Sequence, residues 1–285
     1  MGEYFESFFL LSFGFGVFSS ICILIMSCFL TFSSVLSNYY SKVLLLGSFS
    51  MVLTSLSFCF NSNSYTGCQV QASLLTFGCL SALSFSNAIF YSLYQDIIKD
   101  QKPKINTYII PCYLLPALIS GYLYSIQSYG QISFFCFVSP SNLELFYSIL
   151  ILFIPVLFSY FFCFNLSLKI SLFLKEFESG YFPEEFREKE ENFKNFKTYA
   201  WVLNFAILGF MACNAGYWKS SLGSNLLLDI LLLLSCPLIG YYYAMCLLFK
   251  IFGKKEGRKK VIDDHSTIFL ECSLNPSAIT TSSHK

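Results

Sequence analysis

The chain has 285 residues, of which 55% are hydrophobic and only 12% are charged. Soluble domains carry about 25% charged residues, so this composition excludes an ordinary soluble domain and indicates a membrane protein. The net charge of +1 offers no electrostatic basis for binding a nucleic acid.

Long stretches without a charged residue predict membrane-spanning helices, because each span needs about 20 apolar residues. The uncharged stretch 43–95 is long enough for two helices, and the turn-forming sequence NSNSYTG at 61–67 divides it. We therefore predict an all-α membrane protein, a bundle of seven transmembrane helices. The predicted helices cover about residues 8–36, 43–61, 68–94, 106–126, 143–170, 197–217 and 223–250.

The distribution of basic residues predicts the orientation of this bundle. With the N-terminus outside, 17 of the 18 Lys and Arg residues fall on the inner side, and only Lys219 lies outside. The bundle domain is then residues 1–252, in a membrane that we expect to be the plasma membrane. The cytoplasmic tail, 253–285, is first basic and then polar, and is predicted to be disordered. The charged segment before the sixth helix is predicted to extend that helix into the cytoplasm.

The sequence lacks the patterns of an enzyme or a metal site. His265 and His284 both lie in the tail, and none of the twelve cysteines has CxxC or Cys/His spacing. A retinal protein is excluded because the seventh helix has no lysine mid-way along it; Lys250 lies at its end. We therefore expect no catalytic residues, no cofactor and no metal, which leaves a receptor, or else a transporter or channel-like protein.

Four cysteines lie near the predicted outer face, where an oxidising environment permits a disulfide. They are Cys59, Cys68, Cys136 and Cys213. Cys68 opens the third helix and Cys136 lies mid-way along the long outer loop 127–142, so this pair is favoured. Spacing alone does not determine the pairing.

The opening of the third helix resembles that of a receptor family. In CQVQA, Cys68, Gln71 and Ala72 are similar to the C-x-x-Q-A pattern of the cyclic-AMP-receptor-like G-protein-coupled receptors. Further short similarities are YQDIIKDQKPK at 94–104, Leu115–Pro116 and FCFV at 135–138. The resemblance implies a seven-helix receptor for an extracellular ligand, coupled to a heterotrimeric G protein and carrying a Cys68–Cys136 disulfide. Unlike that family, the chain has no Trp in the third helix.

Three polar residues are candidates for contacting a ligand: Asp229, Gln71 and Glu144. Ionisable residues within a membrane are costly and usually functional, and Asp229 lies nearly two turns into the seventh helix. It is either a ligand contact in an outer cavity or a structural partner of Asn or Ser on a neighbouring helix. Because the outer side is net acidic, we expect a neutral or cationic small molecule or peptide rather than cyclic AMP.

The predicted inner face holds the candidates for contacting the G protein. They are Asp96, Lys99, Lys102, Lys104, Lys194 and Lys197. Asp96 either pairs with inner basic residues in the resting state or is a solvated acid at a helix end. Pro237 and Gly240 predict a kink in the seventh helix, which is either a hinge between two states or static packing.

Overall fold

The computed structural model describes residues 2–32, 39–60, 64–102, 106–132, 134–139, 149–177, 184–219, 226–235, 241 and 244. The chain divides into two compact units, Met1–Ala244 and Met245–Lys285. All described residues belong to the first unit. The predicted tail therefore lies outside the described residues.

The described part of the chain contains seven α-helices and one two-stranded sheet. The helices are α1 Gly2–Phe32, α2 Tyr39–Ser57, α3 Tyr65–Ile98, α4 Asn106–Ser125, α5 Ile154–Phe177, α6 Glu184–Lys219 and α7 Leu226–Ser235. A π-helical turn, Ile149–Phe153, precedes α5. Strands β1 (Tyr129–Ile132) and β2 (Phe135–Val138) pair antiparallel, with Ile132 opposite Phe135, and form a hairpin between α4 and α5.

Five of these helices, α1, α3, α4, α5 and α6, are long and apolar enough to cross a membrane. Helix α2 holds a shorter apolar stretch, Lys42–Ser57. The prediction of a helical membrane protein is confirmed to that extent. Helix α6 begins at Glu184, so the charged segment before residue 197 does continue the helix, as predicted. The hairpin was not predicted.

Helix α3 is the central element of the bundle. It packs against α2, α4, α5, α6 and both strands, and most of its 34 residues are buried. Ser64 caps its start by accepting a hydrogen bond from the Gly67 N–H at 3.0 Å. At its other end Asp100 adopts a left-handed conformation, with φ of 50°, and the helix stops.

Small residues allow α1, α2 and α3 to approach closely. A Cβ placed on Gly78 of α3 would lie 2.9 Å from the Ser50 carbonyl oxygen of α2. One placed on Gly16 of α1 would lie 2.6 Å from the Ser55 carbonyl oxygen of α2. Close backbone contact through Gly and Ser is how helices associate where the hydrophobic effect between them is weak.

Candidate functional site

The two ends of α3 carry different polar structures. We call the end of α3 that carries Cys68 the hairpin end. We call the opposite end, which carries Asp96, the Asp96 end. At the hairpin end a disulfide joins Cys68 of α3 to Cys136 of β2. This is the pairing that the resemblance implied, and it is confirmed.

Two glutamines of α3 add hydrogen bonds beside the disulfide. The Cys136 N–H donates to Oε1 of Gln71 at 2.8 Å. Nε2 of Gln69 donates to the Tyr129 carbonyl oxygen at 3.1 Å. One glutamine thus holds β2 and the other holds β1, and both side chains are buried. The hairpin is therefore fixed to α3 by one covalent bond and two buried hydrogen bonds.

Tyr129 attaches the start of the hairpin to α4. Its ring is buried, and its hydroxyl donates to the Ser120 carbonyl oxygen at 3.2 Å. The Ser120 hydroxyl in turn donates to the Ser73 carbonyl oxygen of α3 at 2.9 Å. A buried tyrosine requires such a partner for its hydroxyl.

The far half of the hairpin fills the space between the helices. Residues 134–138 are each at most 1% exposed. The rings of Phe135 and Phe137 lie 5.8 and 5.1 Å from the ring of Phe210 in α6. Phe134 stacks on Phe8 of α1 at 5.7 Å. The hairpin is thus a packed element in contact with α1, α3 and α6, not a surface loop.

The three ligand-contact candidates lie in different surroundings. The Gln71 oxygen faces the hairpin backbone and is 1% exposed. Asp229 is 4% exposed in the first turns of α7, a helix that packs against α6 and α1. Glu144 lies outside the described residues. The structure therefore places Gln71 under the hairpin and Asp229 on a different helix, which packs against α6 and α1.

A polar cluster lies midway through the bundle, where α3, α5 and α6 meet. The Ser159 hydroxyl lies 3.0 Å from Oδ1 of Asn87 and 3.3 Å from Oδ1 of Asn204. The Cys163 thiol donates to Oδ1 of Asn87 at 3.0 Å. Each donor therefore has its own acceptor if the Ser159 hydroxyl donates to Asn204 and the Cys163 thiol donates to Asn87. A matched network that is largely shielded from solvent specifies how three helices pack.

At the Asp96 end, an ion pair joins α3 to α6. Nζ of Lys189 lies 3.4 Å from the Asp96 carboxylate and 3.3 Å from that of Asp100. The side chains of Lys189 and Asp96 are 14% and 22% exposed, whereas Asp100 is 92% exposed. Solvent screens the Asp100 pair, so the Lys189–Asp96 pair carries the contact. Of the two alternatives for Asp96, the structure shows the pairing with a basic residue.

The other basic candidates at this end do not share one site. Lys99 lies over the Tyr94 ring at 5.6 Å, and Lys102 is exposed. Lys194 pairs with Glu190 of its own helix. Nζ of Lys197 lies 3.4 Å from the Ser171 hydroxyl of α5. Lys104, Pro237 and Gly240 lie outside the described residues.

Lys189 was missed as a site residue. Its neighbours in the sequence are also charged, so being a lysine does not by itself distinguish Lys189 as a site residue. The buried positions of α6, Phe193, Phe196 and Ala200, recur at spacings of three and four. Extending this stripe back by four residues reaches Lys189, which marks it as a charge on the buried face.

Among the described residues, no group of three or more His, Cys, Asp or Glu side chains is arranged to hold a metal ion. Compared with known proteins, the chain matches no family model and no curated protein.

Proposed function

We propose that the chain is a seven-helix receptor of the cyclic-AMP-receptor-like kind, which passes an extracellular ligand signal to a cytoplasmic G protein. In this proposal the N-terminus and the hairpin end face outside, and the Asp96 end and the tail face the cytoplasm. The support is the Lys and Arg distribution together with the short motifs of the third helix.

The observation that carries the proposal is that α6 makes one contact at the hairpin end and another at the Asp96 end. Phe210 of α6 packs against the hairpin, and Lys189 of the same helix pairs with Asp96. The two residues are 21 positions apart, which is about 32 Å along a helix. A displacement at the hairpin end can therefore be transmitted through a rigid helix to the cytoplasmic end.

The receptor mechanism is a shift between two populations. The resting state keeps α6 against α3 through the Lys189–Asp96 pair and the Asn87–Ser159–Asn204 cluster. A ligand that binds better to the state with α6 displaced shifts the equilibrium toward that state. The cytoplasmic base of α6 and the loop after α3 then present their lysines to the G protein.

The ligand would act at the hairpin end, with Asp229, a buried carboxylate in the described part of α7, as a contact. We propose a neutral or cationic small molecule or peptide, because the net acidic outer side of the protein would repel an anion such as cyclic AMP. Replacing Asp229 by Asn would then weaken ligand binding by about 1.5–3 kcal/mol, the value of a charge-assisted contact. A variant that fails to reach the membrane would mark the carboxylate as structural.

Nucleotide exchange tests the receptor proposal. The purified chain, reconstituted in nanodiscs, is mixed with each class of heterotrimeric G protein, and binding of a non-hydrolysable GTP analogue is followed with candidate ligands. We expect one class to exchange faster with the protein than with empty nanodiscs. Ligand-dependent solute flux in proteoliposomes without any exchange would instead indicate a transporter or channel.

A further inference from the structure

An apolar groove of about 610 Å³ lies on the lateral surface of the bundle, and neither the hairpin nor the Lys189–Asp96 pair contributes a residue to its lining. Leu24 of α1, Leu45, Leu46 and Phe49 of α2, and Tyr113 of α4 help to line it. Leu24 and Phe49 are each more than half exposed. In a membrane, such a surface faces hydrocarbon.

The polar atom of Tyr113 is already used within the protein. Its hydroxyl donates to the Leu46 carbonyl oxygen at 2.7 Å. The groove therefore offers a hydrocarbon surface with few free hydrogen-bonding groups, which suits an acyl chain rather than a polar ligand.

A basic residue stands at one end of the groove. Lys42 precedes Leu45, Leu46 and Phe49 by three, four and seven residues, so all four share one face of α2. Lys42 is exposed and makes no ion pair within the described part of the chain. Side chains on a helix lean toward its N-terminus, so the ammonium group extends past the groove toward the membrane surface.

The length of this arrangement matches one leaflet of a bilayer. From Lys42 to Val52, which also lines the groove, is about 15 Å along a helix. Half of a hydrocarbon core of about 30 Å is the same distance. An acyl chain in the groove would place its headgroup phosphate beside Lys42.

We propose that this groove binds an anionic phospholipid, with an acyl chain along Leu45 and Phe49 and the headgroup phosphate on Lys42. The charge of Lys42, which has no ion-pair partner among the described residues, selects a headgroup with a net negative charge over a zwitterionic one, whose net charge is zero. In the orientation proposed above, the lipid belongs to the inner leaflet, where anionic lipids are concentrated. The lipid site itself does not depend on G-protein coupling.

Lipid binding is measured by native mass spectrometry of the full-length protein, titrated with phosphatidylserine or phosphatidylcholine. We expect Lys42→Gln to weaken phosphatidylserine binding about fivefold, which corresponds to one lysine near an anionic surface, and to leave phosphatidylcholine binding unchanged. Lys169→Gln is the matched control, since Lys169 is also exposed but lies on α5, which contributes no residue to the groove. It should change either affinity by less than about twofold.

Two changes in the groove test the acyl chain. Leu45→Trp fills the groove, and Phe49→Ala removes an exposed side chain that lines it. Each variant should therefore weaken binding of both lipids and leave the preference for phosphatidylserine unchanged. The proposed site is wrong if Lys42→Gln keeps the full preference for phosphatidylserine, or if Lys169→Gln loses as much phosphatidylserine affinity as Lys42→Gln. It is also wrong if neither groove variant weakens lipid binding. All of these outcomes are independent of nucleotide exchange, so they are distinguishable from a failure of the receptor proposal.

Discussion

At the scale of single residues, a few small side chains set how closely the central helices pack. Gly78 of α3 lies against the backbone of α2 at Ser50 and against the Thr54 side chain. A backbone carbonyl cannot rotate away as a side chain does. The contact therefore tolerates no added carbon, and this glycine is required by the packing rather than by its own conformation.

We predict that Gly78→Ala destabilises the protein by about 1–3 kcal/mol, the usual cost of overpacking a core. The new methyl carbon would collide with the Thr54 hydroxyl oxygen and would lie 2.9 Å from the Ser50 carbonyl oxygen. Thermal unfolding of the purified protein in detergent measures the effect.

Gly121→Ala is the matched control for this prediction. A Cβ at Gly121 of α4 has no atom within 4 Å, and alanine is the better helix former. We expect an unchanged or slightly raised melting temperature. Equal losses in the two variants would mean that α2 and α3 are not in close contact at Gly78.

At the scale of elements, the hairpin connects α3 to other parts of the described structure. It is bonded to α3 through Cys68 and Gln71, and it packs against Phe210 of α6. Each attachment positions the same short segment. Their contributions to stability should therefore depend on one another, as expected for groups that share partners.

We predict that Cys68→Ser and Cys136→Ser each lower stability by about 2–4 kcal/mol, the usual contribution of a disulfide. The double variant should be no worse than either single variant, because each one already removes the whole bond. Surface level in cells and unfolding of the purified protein measure this. Cys213→Ser serves as a control, since Cys213 is a free cysteine, and additive losses for the pair would contradict the account.

Gln71→Leu tests the hydrogen bond to the hairpin separately. Losing the Gln71 oxygen leaves the Cys136 N–H buried without its acceptor, which costs about 1–3 kcal/mol. The same change made in the Cys68→Ser protein should cost less, because the hairpin is then free to move. A full and equal loss in both backgrounds would show that Gln71 acts elsewhere.

The elements differ in how far the sequence predicts them. The helices follow from long uncharged runs, and the predicted 106–126 and observed Asn106–Ser125 nearly coincide. The hairpin was missed because YGQI and FCFV are four-residue strands that also read as loop. Burial of Phe135 and Phe137 depends on Phe210, which is distant in sequence. Lys189 was missed for the same reason, since its partner Asp96 lies on another helix.

At the scale of the whole molecule, the proposal depends on which end faces outside. The distribution of Lys and Arg predicts the orientation, and a disulfide at the hairpin end is what an oxidising outer face would permit. These two arguments are independent, because one uses charges and the other uses cysteines.

We predict that an epitope tag at the N-terminus is stained on intact cells, and that a tag at the C-terminus is stained only after permeabilisation. Both tagged proteins should show the same total amount by immunoblot. A C-terminal tag that is accessible on intact cells would reverse the orientation, and with it the assignment of the Asp96 end to the cytoplasm.

The central claim is that the Lys189–Asp96 pair restrains α6 in the resting state of a receptor, and basal nucleotide exchange tests it most directly. With the G protein found in the exchange screen, Asp96→Asn and Lys189→Gln should each raise ligand-free exchange at least fivefold, a coupling of about 1 kcal/mol. Lys194→Gln, which alters a pair within α6 alone, should not. The swap of Asp96→Lys with Lys189→Asp should return exchange toward the original rate. Unchanged exchange in both single variants, or a swap that leaves exchange high, would contradict the account.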